Sequence, residues 1–233
     1  MKTDAKNFML KSLLFLATLI SGTPSLKAEC IGKIDLGAVF LHVDVLESNK
    51  TIKAVNMPGV RADASILIWK GLCLKPSILY AQNGNTDTLT GGCGLGFYIK
   101  LDDQFCITPS LGCNFTEFNT TIKYPITEFF SLNLKERFRS VSPYGALEAT
   151  FTFVPGWRAT ILGQYVISRT HTKITDFGST TSRPKGPNYA LILEADINEH
   201  WSINIAGAYN LSLTKEKHGL RAYGGRLAVA YWF

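Results

Sequence analysis

Charged residues recur at alternate positions in segments that are otherwise apolar or small. Residues two apart on a β-strand point to the same face, so these charges are predicted to line one surface of a sheet. That surface would hold six basic and five acidic side chains, namely Lys33, Asp35, Arg61, Asp63, Lys75, Lys100, Glu148, Arg158, Glu194, Asp196 and Arg226. The candidates for a constriction that tunes the passage of small polar solutes are Glu148, Glu194, Arg226 and Arg158. The alternative is a paired network that fills a narrow interior.

The five cysteines raise the question of disulfide bonds. In the hairpin register that the apolar pattern predicts, Cys93 lies directly opposite Cys113, so a cross-strand disulfide is geometrically allowed. The alternative is a pair of small apolar side chains on the outer surface. Cys30, Cys73 and Cys106 are expected near one rim, where one of the three has no partner within the monomer. Disulfide links to other envelope proteins in an oxidising compartment are therefore a hypothesis.

The four histidines offer little for catalysis. His42 and Asp44 share a face near the end of the first predicted strand, and this pair is similar to the His/Asp pair of outer-membrane proteases, which are also ten-stranded. Those enzymes oppose it with a second acidic pair, for which only Asp63 is available here. No serine follows a histidine as in barrel phospholipases, and no cluster has metal-ligand spacing. We therefore expect no enzymatic activity, no metal and no cofactor.

The elements that must position these side chains show a hydrophobic pattern of period two, which is typical of strands with two different faces. The pattern is clearest from Trp201 to Leu213. It recurs over enough of the chain to predict ten strands, at Ile34–Val45, Val60–Ile68, Leu72–Tyr80, Leu89–Leu101, Phe105–Phe115, Val141–Phe153, Trp157–Ile167, Tyr189–Ile197, Trp201–Leu213 and Leu227–Phe233.

The connections between these segments alternate between short and long. The tight turns are Trp69-Lys70-Gly71, Asp102-Asp103-Gln104, Val154-Pro155-Gly156 and Asn198-Glu199-His200. The predicted long loops are Leu46–Gly59, Asn83–Thr88, Glu117–Arg139, Thr170–Pro187 and Thr214–Leu220. Short turns at one membrane face and long loops at the other are typical of outer-membrane barrels. The sequence predicts an all-β fold, a single transmembrane antiparallel up-and-down β-barrel of ten strands, with eight or twelve strands as alternatives.

The two faces and the register of this barrel follow from the same pattern. Around the turn at Asp103, Leu95 pairs with Leu111, so apolar residues meet apolar residues on the outward face. Ile205 lies on the outward face, where Ile205→Arg is expected to lower the free energy of unfolding by roughly 2–4 kcal/mol. Asn204 lies on the inward face, and Asn204→Ala is expected to cost much less.

Aromatic residues are predicted to form two belts around an aliphatic band, as at the two interfaces of a bilayer. The belt at the short-turn side contains Phe105, Phe153, Trp157, Trp201 and Phe233. The belt at the other side contains Phe115, Tyr165, Tyr189, Tyr209 and Tyr223. A water-soluble β-sandwich also alternates, but its core gives no reason for this spacing.

Residues 1–28 are predicted to be a secretory signal peptide, and residues 29–233 a single barrel domain. Three lysines precede the apolar run Leu13–Ile20, which is too short to span a membrane as a helix. Cleavage is expected after Ala28, with a site after Ser25 as the alternative. The predicted location is the bacterial outer membrane.

Without the signal peptide the chain has 20 basic and 17 acidic side chains, a net charge of +3. The basic isoelectric point therefore comes mostly from the segment that is removed. No basic patch with interleaved aromatic residues is present, so nucleic acid is not expected as a partner.

The chain ends in the pattern Leu227-x-Val229-x-Tyr231-Trp232-Phe233. This pattern resembles the C-terminal signature of bacterial outer-membrane barrels, in which a terminal Phe follows alternating apolar and aromatic residues. The resemblance implies that Leu227, Val229, Tyr231 and Phe233 form the signal that the barrel-assembly machinery recognises. The predicted architecture resembles the small opacity or OmpX-type barrels.

A second resemblance covers the short segment from Arg61 to Gln82. Within it, Arg61-Ala62, Trp69, Cys73 and Tyr80-Ala81-Gln82 are similar to a segment of the cysteine-bearing major outer-membrane porins of chlamydiae. Those porins are larger barrels.

The function predicted from the sequence is a small porin-like or channel-like outer-membrane protein with a narrow lumen of mixed charge. The alternative is a non-conducting surface protein, an adhesin or an envelope-structural barrel, that acts through its extracellular loops. The loops Thr170–Pro187 and Thr214–Arg221 are modestly basic, so their expected partners are host polyanions or the phosphates of lipopolysaccharide and other outer-membrane lipids.

Overall fold

The computed structural model describes residues 32–125, 131–174 and 178–233. The predicted signal peptide and Cys30 lie outside the described residues. Within the described part of the chain, no helix is both long enough and apolar enough to cross a membrane.

The described chain is made of antiparallel strands joined by turns. Several barrel strands are interrupted for one or two residues, at Tyr98, at Ser168 and at Arg183-Pro184. The strands are β1 (Gly32–Glu47), β2 (Lys50–Trp69), β3 (Leu72–Asn83), β4 (Thr86–Phe97), β5 (Ile99–Lys100), β6 (Phe105–Pro125), β7 (Ser131–Val154), β8 (Trp157–Ile167), β9 (Arg169–Ile174), β10 (Gly178–Ser182), β11 (Lys185–Asp196), β12 (Trp201–Leu213) and β13 (Gly219–Trp232).

These strands form a closed barrel of ten strands, because β5, β9 and β10 continue β4, β8 and β11 beyond the interruptions. Each barrel strand pairs with the next along the chain, and β1 pairs with both β2 and β13. Backbone hydrogen bonds between Gly32 and Phe233, of 3.0 and 3.1 Å, complete the seam. The predicted all-β, up-and-down architecture is confirmed.

The positions of the four tight turns and the register of the strands are also confirmed. Two of these turns have two residues and not three, because Trp69 pairs with Leu72 and Val154 with Trp157. All four turns lie at one end of the barrel, here named the short-turn end, together with Gly32 and Phe233. Leu95 pairs with Leu111 and Leu193 with Ile205, as the apolar pattern predicts. Bulges after Leu67 and Thr152 absorb one residue each beside two of these turns, so the register continues unbroken through the rest of the strands.

The prediction of long loops at the opposite end, here named the hairpin end, was wrong in its main part. Strand β2 begins at Lys50, directly after a two-residue turn at Ser48 and Asn49, whose φ angles of 48° and 67° suit a tight β-hairpin. Strands β6 and β7 have 21 and 24 residues. Since about 9–11 residues suffice to cross a bilayer, much of both strands extends beyond the membrane.

The outward face carries a wide band of exposed apolar side chains. Leu111, Ile161 and Leu227 are 72, 62 and 61 % exposed, values that are not expected for a protein surrounded by water. Exposed aromatic residues flank this band on both sides, among them Phe153, Trp157, Trp201, Phe115, Tyr165, Tyr189, Tyr209 and Tyr223. Such a surface fits the hydrocarbon layer of a bilayer between two interfaces.

Candidate functional site

The short-turn half of the lumen contains a continuous chain of charged and amide side chains. At its first end, Arg61 donates two hydrogen bonds to Asp63, of 2.7 and 2.8 Å. Arg226 donates to the same carboxylate at 2.5 Å and to Asn204 Oδ1 at 3.0 Å. Asn204 Nδ2 in turn donates to Asp35 at 2.6 Å. Side chains of the four neighbouring strands β12, β13, β1 and β2 are thereby connected along the inner wall.

The chain continues from β1 to β8 and β11. Lys33 lies 3.3 Å from Asp35 and 2.6 Å from Glu194, so its ammonium joins two carboxylates on different strands. Arg158 donates to Glu194 at 2.7 Å and also pairs with Asp196. The whole network contains four cations and four anions, and each of them contacts an opposite charge. The lumen at this level is therefore neutral and does not form a ring of one sign.

Trp232 fills the base of this network near the short-turn end. The Lys33 ammonium and the Arg158 guanidinium lie 5.2 and 4.7 Å from the centre of a Trp232 ring, at cation–π distances. Its indole N–H donates to Ser202 at 3.1 Å, and Ser202 donates to Glu194 at 2.9 Å. The indole thus covers two of the four cations.

A second polar contact occupies the other side of the lumen. Lys75 of β3 forms an ion pair with Glu148 of β7, although two other barrel strands separate β3 from β7. Above it, Tyr144 lies against Gly94 and Gly112, where a Cβ on either glycine would approach the phenol to 2.5 Å. The two glycines are paired across β4 and β6, so they form the flat surface that receives the ring.

A cluster of apolar side chains lies on one side of the hairpin half of the lumen. Val43, Val45, Met57, Ala81, Phe118 and Ile122 form one buried cluster, with Phe138 and Leu220 packed against it. Met57 and Ile122 are 0 and 1 % exposed. Because the cluster joins β1, β2, β3 and β6, it reaches over a large part of the barrel circumference. Charge pairs thus connect the strands of the short-turn half, whereas an apolar cluster and buried polar residues such as Thr120 and Glu136 occupy the hairpin half.

The four predicted constriction residues all face the lumen, but they do not form one ring. Arg158 and Glu194 pair directly, and Glu148 belongs to the separate pair with Lys75. Arg226 is connected to Glu194 only through Asn204, Asp35 and Lys33. Whether any of them tunes passage of a solute stays a prediction.

Lys100 was predicted with the same inward set, and the structure places it at the short-turn rim. It lies 2.8 Å from Asp103 in the adjoining turn. The hydrogen bond from Lys100 holds the pKa of this exposed carboxyl below its usual range. This pair is therefore a feature of the rim and does not belong to the network in the lumen.

The predicted pairing of Cys93 with Cys113 is confirmed as a register, and both thiols are free. The two side chains lie on the outward face among lipid-exposed residues, and each Sγ contacts the carbonyl oxygen of the following residue. Cys73 and Cys106 are also free, with Cys73 buried. The disulfide and the cross-link to another envelope protein stay predictions.

His42 and Asp44 lie together on the outside of the barrel near the hairpin end. His42 contacts Asp44 at 3.2 Å and Asn56 at 2.6 Å and stacks on Tyr223, while Arg221 pairs with Asp44 at 2.8 Å. This arrangement links three neighbouring strands.

Asp63, the acidic residue considered as an opposing group, does not approach this cluster. It faces the lumen and is held by Arg61 and Arg226. The wall of the barrel separates the two carboxylates, so they do not form one site.

The C-terminal residues Leu227, Val229, Tyr231 and Phe233 share the outward face, as predicted. Tyr231 lies 4.9 Å from Trp201 and 6.5 Å from Phe233, measured between ring centres. Their role as an assembly signal stays a prediction.

The contacts of three lumen residues were not predicted from the sequence, namely those of Asn204, Tyr144 and Trp232. The alternation of the sequence places Asn204 and Trp232 on the inward face, and this was the only indication that they contribute to the lumen. Their partners, Asp35 for Asn204 and Lys33 for Trp232, lie more than a hundred residues away along the chain. Only the closed barrel brings these groups together.

No family model matches the sequence, and no curated protein matches it. Several solved structures are similar in fold. The outer membrane protease OmpT from Escherichia coli is 11 % identical, with 91 % of this chain and 99 % of that chain covered and a TM-score of 0.56.

Two further solved structures have lower TM-scores. An outer membrane channel from Pseudomonas putida F1 is 11 % identical over 91 % of this chain and 100 % of that chain, with a TM-score of 0.47. Ail, the attachment invasion locus protein of Yersinia pestis, is 11 % identical over 88 % of this chain and 100 % of that chain, with a TM-score of 0.46. At such low identity, similarity to the protease establishes the outer-membrane β-barrel fold alone.

Proposed function

We propose that this chain is an integral protein of the bacterial outer membrane with a closed lumen, and that it acts through its outer surface and its hairpin end. Export by residues 1–28 and recognition of the last strand by the barrel-assembly machinery belong to this proposal as predictions. Of the two functions that the sequence leaves open, this is the non-conducting one.

The observations that support this proposal are the paired charges near Trp232 and the buried apolar cluster around Phe118, both inside the lumen. A hydrated solute that passed through the short-turn half would have to separate paired charges, and breaking a buried pair costs about 3–5 kcal/mol. In the hairpin half it would have to enter a packed apolar cluster, where its own polar groups would lose their hydrogen bonds.

A channel would also need a lumen whose charges remain available to the solute. Here each cation of the network is engaged by a carboxylate, and Arg158 and Lys33 are additionally covered by Trp232. The neutral balance gives no preference for anions or cations. The arrangement therefore supports a structural role for these charges.

Reconstitution of the purified protein tests the proposal. We expect swelling of sugar-loaded liposomes to equal that of empty liposomes, and planar bilayers to show no stable single-channel steps. A diffusion porin reconstituted at the same density serves as the positive control. Stable steps in the wild-type protein, with an ion selectivity that changes in Glu194→Gln, would overturn the proposal and favour the channel.

A further inference from the structure

An open groove runs along the outward wall where β7, β8 and β11 lie side by side. Its floor consists of Gly145 and Gly163, and Leu147, Tyr165, Pro187 and Tyr189 form its sides. All six residues alternate onto the outward face, so the groove opens toward the surrounding membrane. Its volume is about 360 Å³, within the range of small-molecule sites.

The glycines create the groove because they leave gaps in a wall of large side chains. A Cβ added at Gly163 would have no neighbour within 4 Å, whereas Tyr165 and Tyr189 are both about half exposed beside it. An extended hydrocarbon chain could lie along this floor between the two rings. The surface is apolar, so the groove by itself favours a lipid tail and not a soluble ligand.

Cationic side chains lie directly above the groove on the side of the hairpin end. Lys185 is one outward position beyond Pro187, and Arg169 is two outward positions beyond Tyr165. Since two residues of a strand advance by about 6.6–6.8 Å, the two charges lie roughly 7 and 13 Å above the groove. Lys173 extends the same patch farther from the membrane band, and Arg183, next to the Ser182–Thr170 pair, extends it sideways at the level of Arg169.

Within the described part of the chain, these four cations have no anionic partner. Arg169, Lys173, Arg183 and Lys185 are exposed and form no ion pair with a described residue. The two neighbouring arginines differ, because Arg137 and Arg139 are held by Glu117 at 2.5 and 3.1 Å. Among the described residues of β8 to β11, no acidic side chain points outward. The patch is thus complementary to an anion.

We propose that this groove and the cations above it form a binding site for a phosphorylated lipid of the surrounding leaflet, with an acyl chain on Gly145 and Gly163 and a phosphate on Arg169 and Lys185. The spacing matches an amphiphile that lies parallel to the barrel wall. A soluble polyanion would use the cations but would have no use for the groove. The inference rests on the proposed residence in the outer membrane and is independent of whether the lumen conducts.

Two matched pairs of variants separate the two parts of the site. Arg169→Gln with Lys185→Gln removes the charges above the groove, and Lys215→Gln with Lys217→Gln removes two exposed charges from another turn of the hairpin end. Gly163→Leu fills the groove, and Gly207→Leu places the same side chain at an outward glycine that also has no neighbour within 4 Å.

The measurement is binding of bis-phosphorylated lipid A to the folded protein in detergent, by native mass spectrometry and titration. Dephosphorylated lipid A and a soluble sulfated oligosaccharide serve as the comparison ligands. We expect lipid A to bind, with affinity reduced about tenfold or more by the Arg169/Lys185 variant and by Gly163→Leu. The Lys215/Lys217 variant and Gly207→Leu should bind lipid A as the wild type does. Dephosphorylated lipid A should bind the wild-type protein more weakly.

Two results would overturn this site. If the Arg169/Lys185 variant weakens lipid A and the sulfated oligosaccharide equally while Gly163→Leu weakens neither, the patch binds soluble polyanions. If all variants bind lipid A as the wild type does, the lipid contacts are nonspecific. Conductance of the wild-type protein would contradict the closed lumen and leave either lipid result intact, so failure of the two proposals can be told apart.

Discussion

The two halves of the barrel have opposite polarity, although the same strands build both. In β1, Asp35 faces the lumen and Leu36 faces outward near the short-turn end, whereas Val43 faces the lumen and Asp44 lies on the outside near the hairpin end. One half is organised like a membrane protein and the other like a water-soluble barrel. The strands that extend beyond the bilayer have acquired a hydrophobic core of their own, because their outer surface faces water.

The largest expected effect concerns the polar half. Arg226→Met removes the guanidinium that joins Asp63 to Asn204 and leaves the half-buried Asp63 carboxylate with one partner fewer. We therefore expect a loss of about 3–5 kcal/mol in the free energy of unfolding. Urea titration of the protein folded in lipid vesicles, followed by tryptophan fluorescence, measures this. Lys215→Met, at an exposed turn, is the control and should leave the midpoint unchanged. Equal midpoints for both variants would show that the network does not stabilise this half.

In the apolar cluster of the hairpin half, stability should depend on the volume of the side chains and not on their charge. Phe118 is 2 % exposed inside the cluster, so Phe118→Ala should cost about 3 kcal/mol through lost burial and a residual cavity. Phe118→Leu keeps most of the volume and should cost about 1 kcal/mol. The same urea titration applies. A cost for alanine no greater than that for leucine would mean that water already enters the hairpin half.

A smaller effect separates two asparagines on the inward face of β12. Asn204 is 1 % exposed and bridges Asp35 and Arg226, so Asn204→Ala should cost about 2 kcal/mol by leaving both charges short of a hydrogen bond. Asn210 forms no hydrogen bond with a described side chain, and Asn210→Ala should cost about 0.5 kcal/mol or less. Similar losses of stability for the two variants would show that the hydrogen bonds of Asn204 in the polar half contribute no more than the surroundings of Asn210.

The smallest expected effect is the formation of a disulfide on the outer wall of the barrel. Cys93 and Cys113 occupy opposite positions on β4 and β6, which suits a disulfide, so a mild oxidant should link them within one molecule. The background for this test replaces Cys30, Cys73 and Cys106 with serine. Intact mass should show the loss of two hydrogens without a dimer on non-reducing gels. Dimers as the main product would instead support a bond between molecules.

Much of the membrane-embedded barrel could be predicted from the sequence. There, apolar side chains face lipid and polar ones face the lumen, so period two and the tight turns suffice to give the strands and the register of Leu95 with Leu111. The inward position of Arg158 and Glu194 followed from the same alternation. Their pairing is local, since β8 and β11 are adjacent.

The hairpin half could not be predicted in the same way. Residues 46–59, 117–122 and 134–139 alternate with reversed polarity and contain charged residues on the outside, so they resemble surface loops when only the membrane pattern is sought. The network was also hidden, because contacts such as Asn204 to Asp35 need the barrel to close first. The expected cost of Asn204→Ala is accordingly higher than the sequence suggested.

The seam between Gly32 and Phe233 also determines the order of events in folding. The two residues are separated by nearly the whole described chain, so their pairing has the highest loop-closure cost of any contact in the wall. Until β13 pairs with β1, both strands have an unpaired edge. Slow closure of so long a ring is expected for a fold dominated by non-local contacts. During that interval these two edges are available for pairing with another molecule.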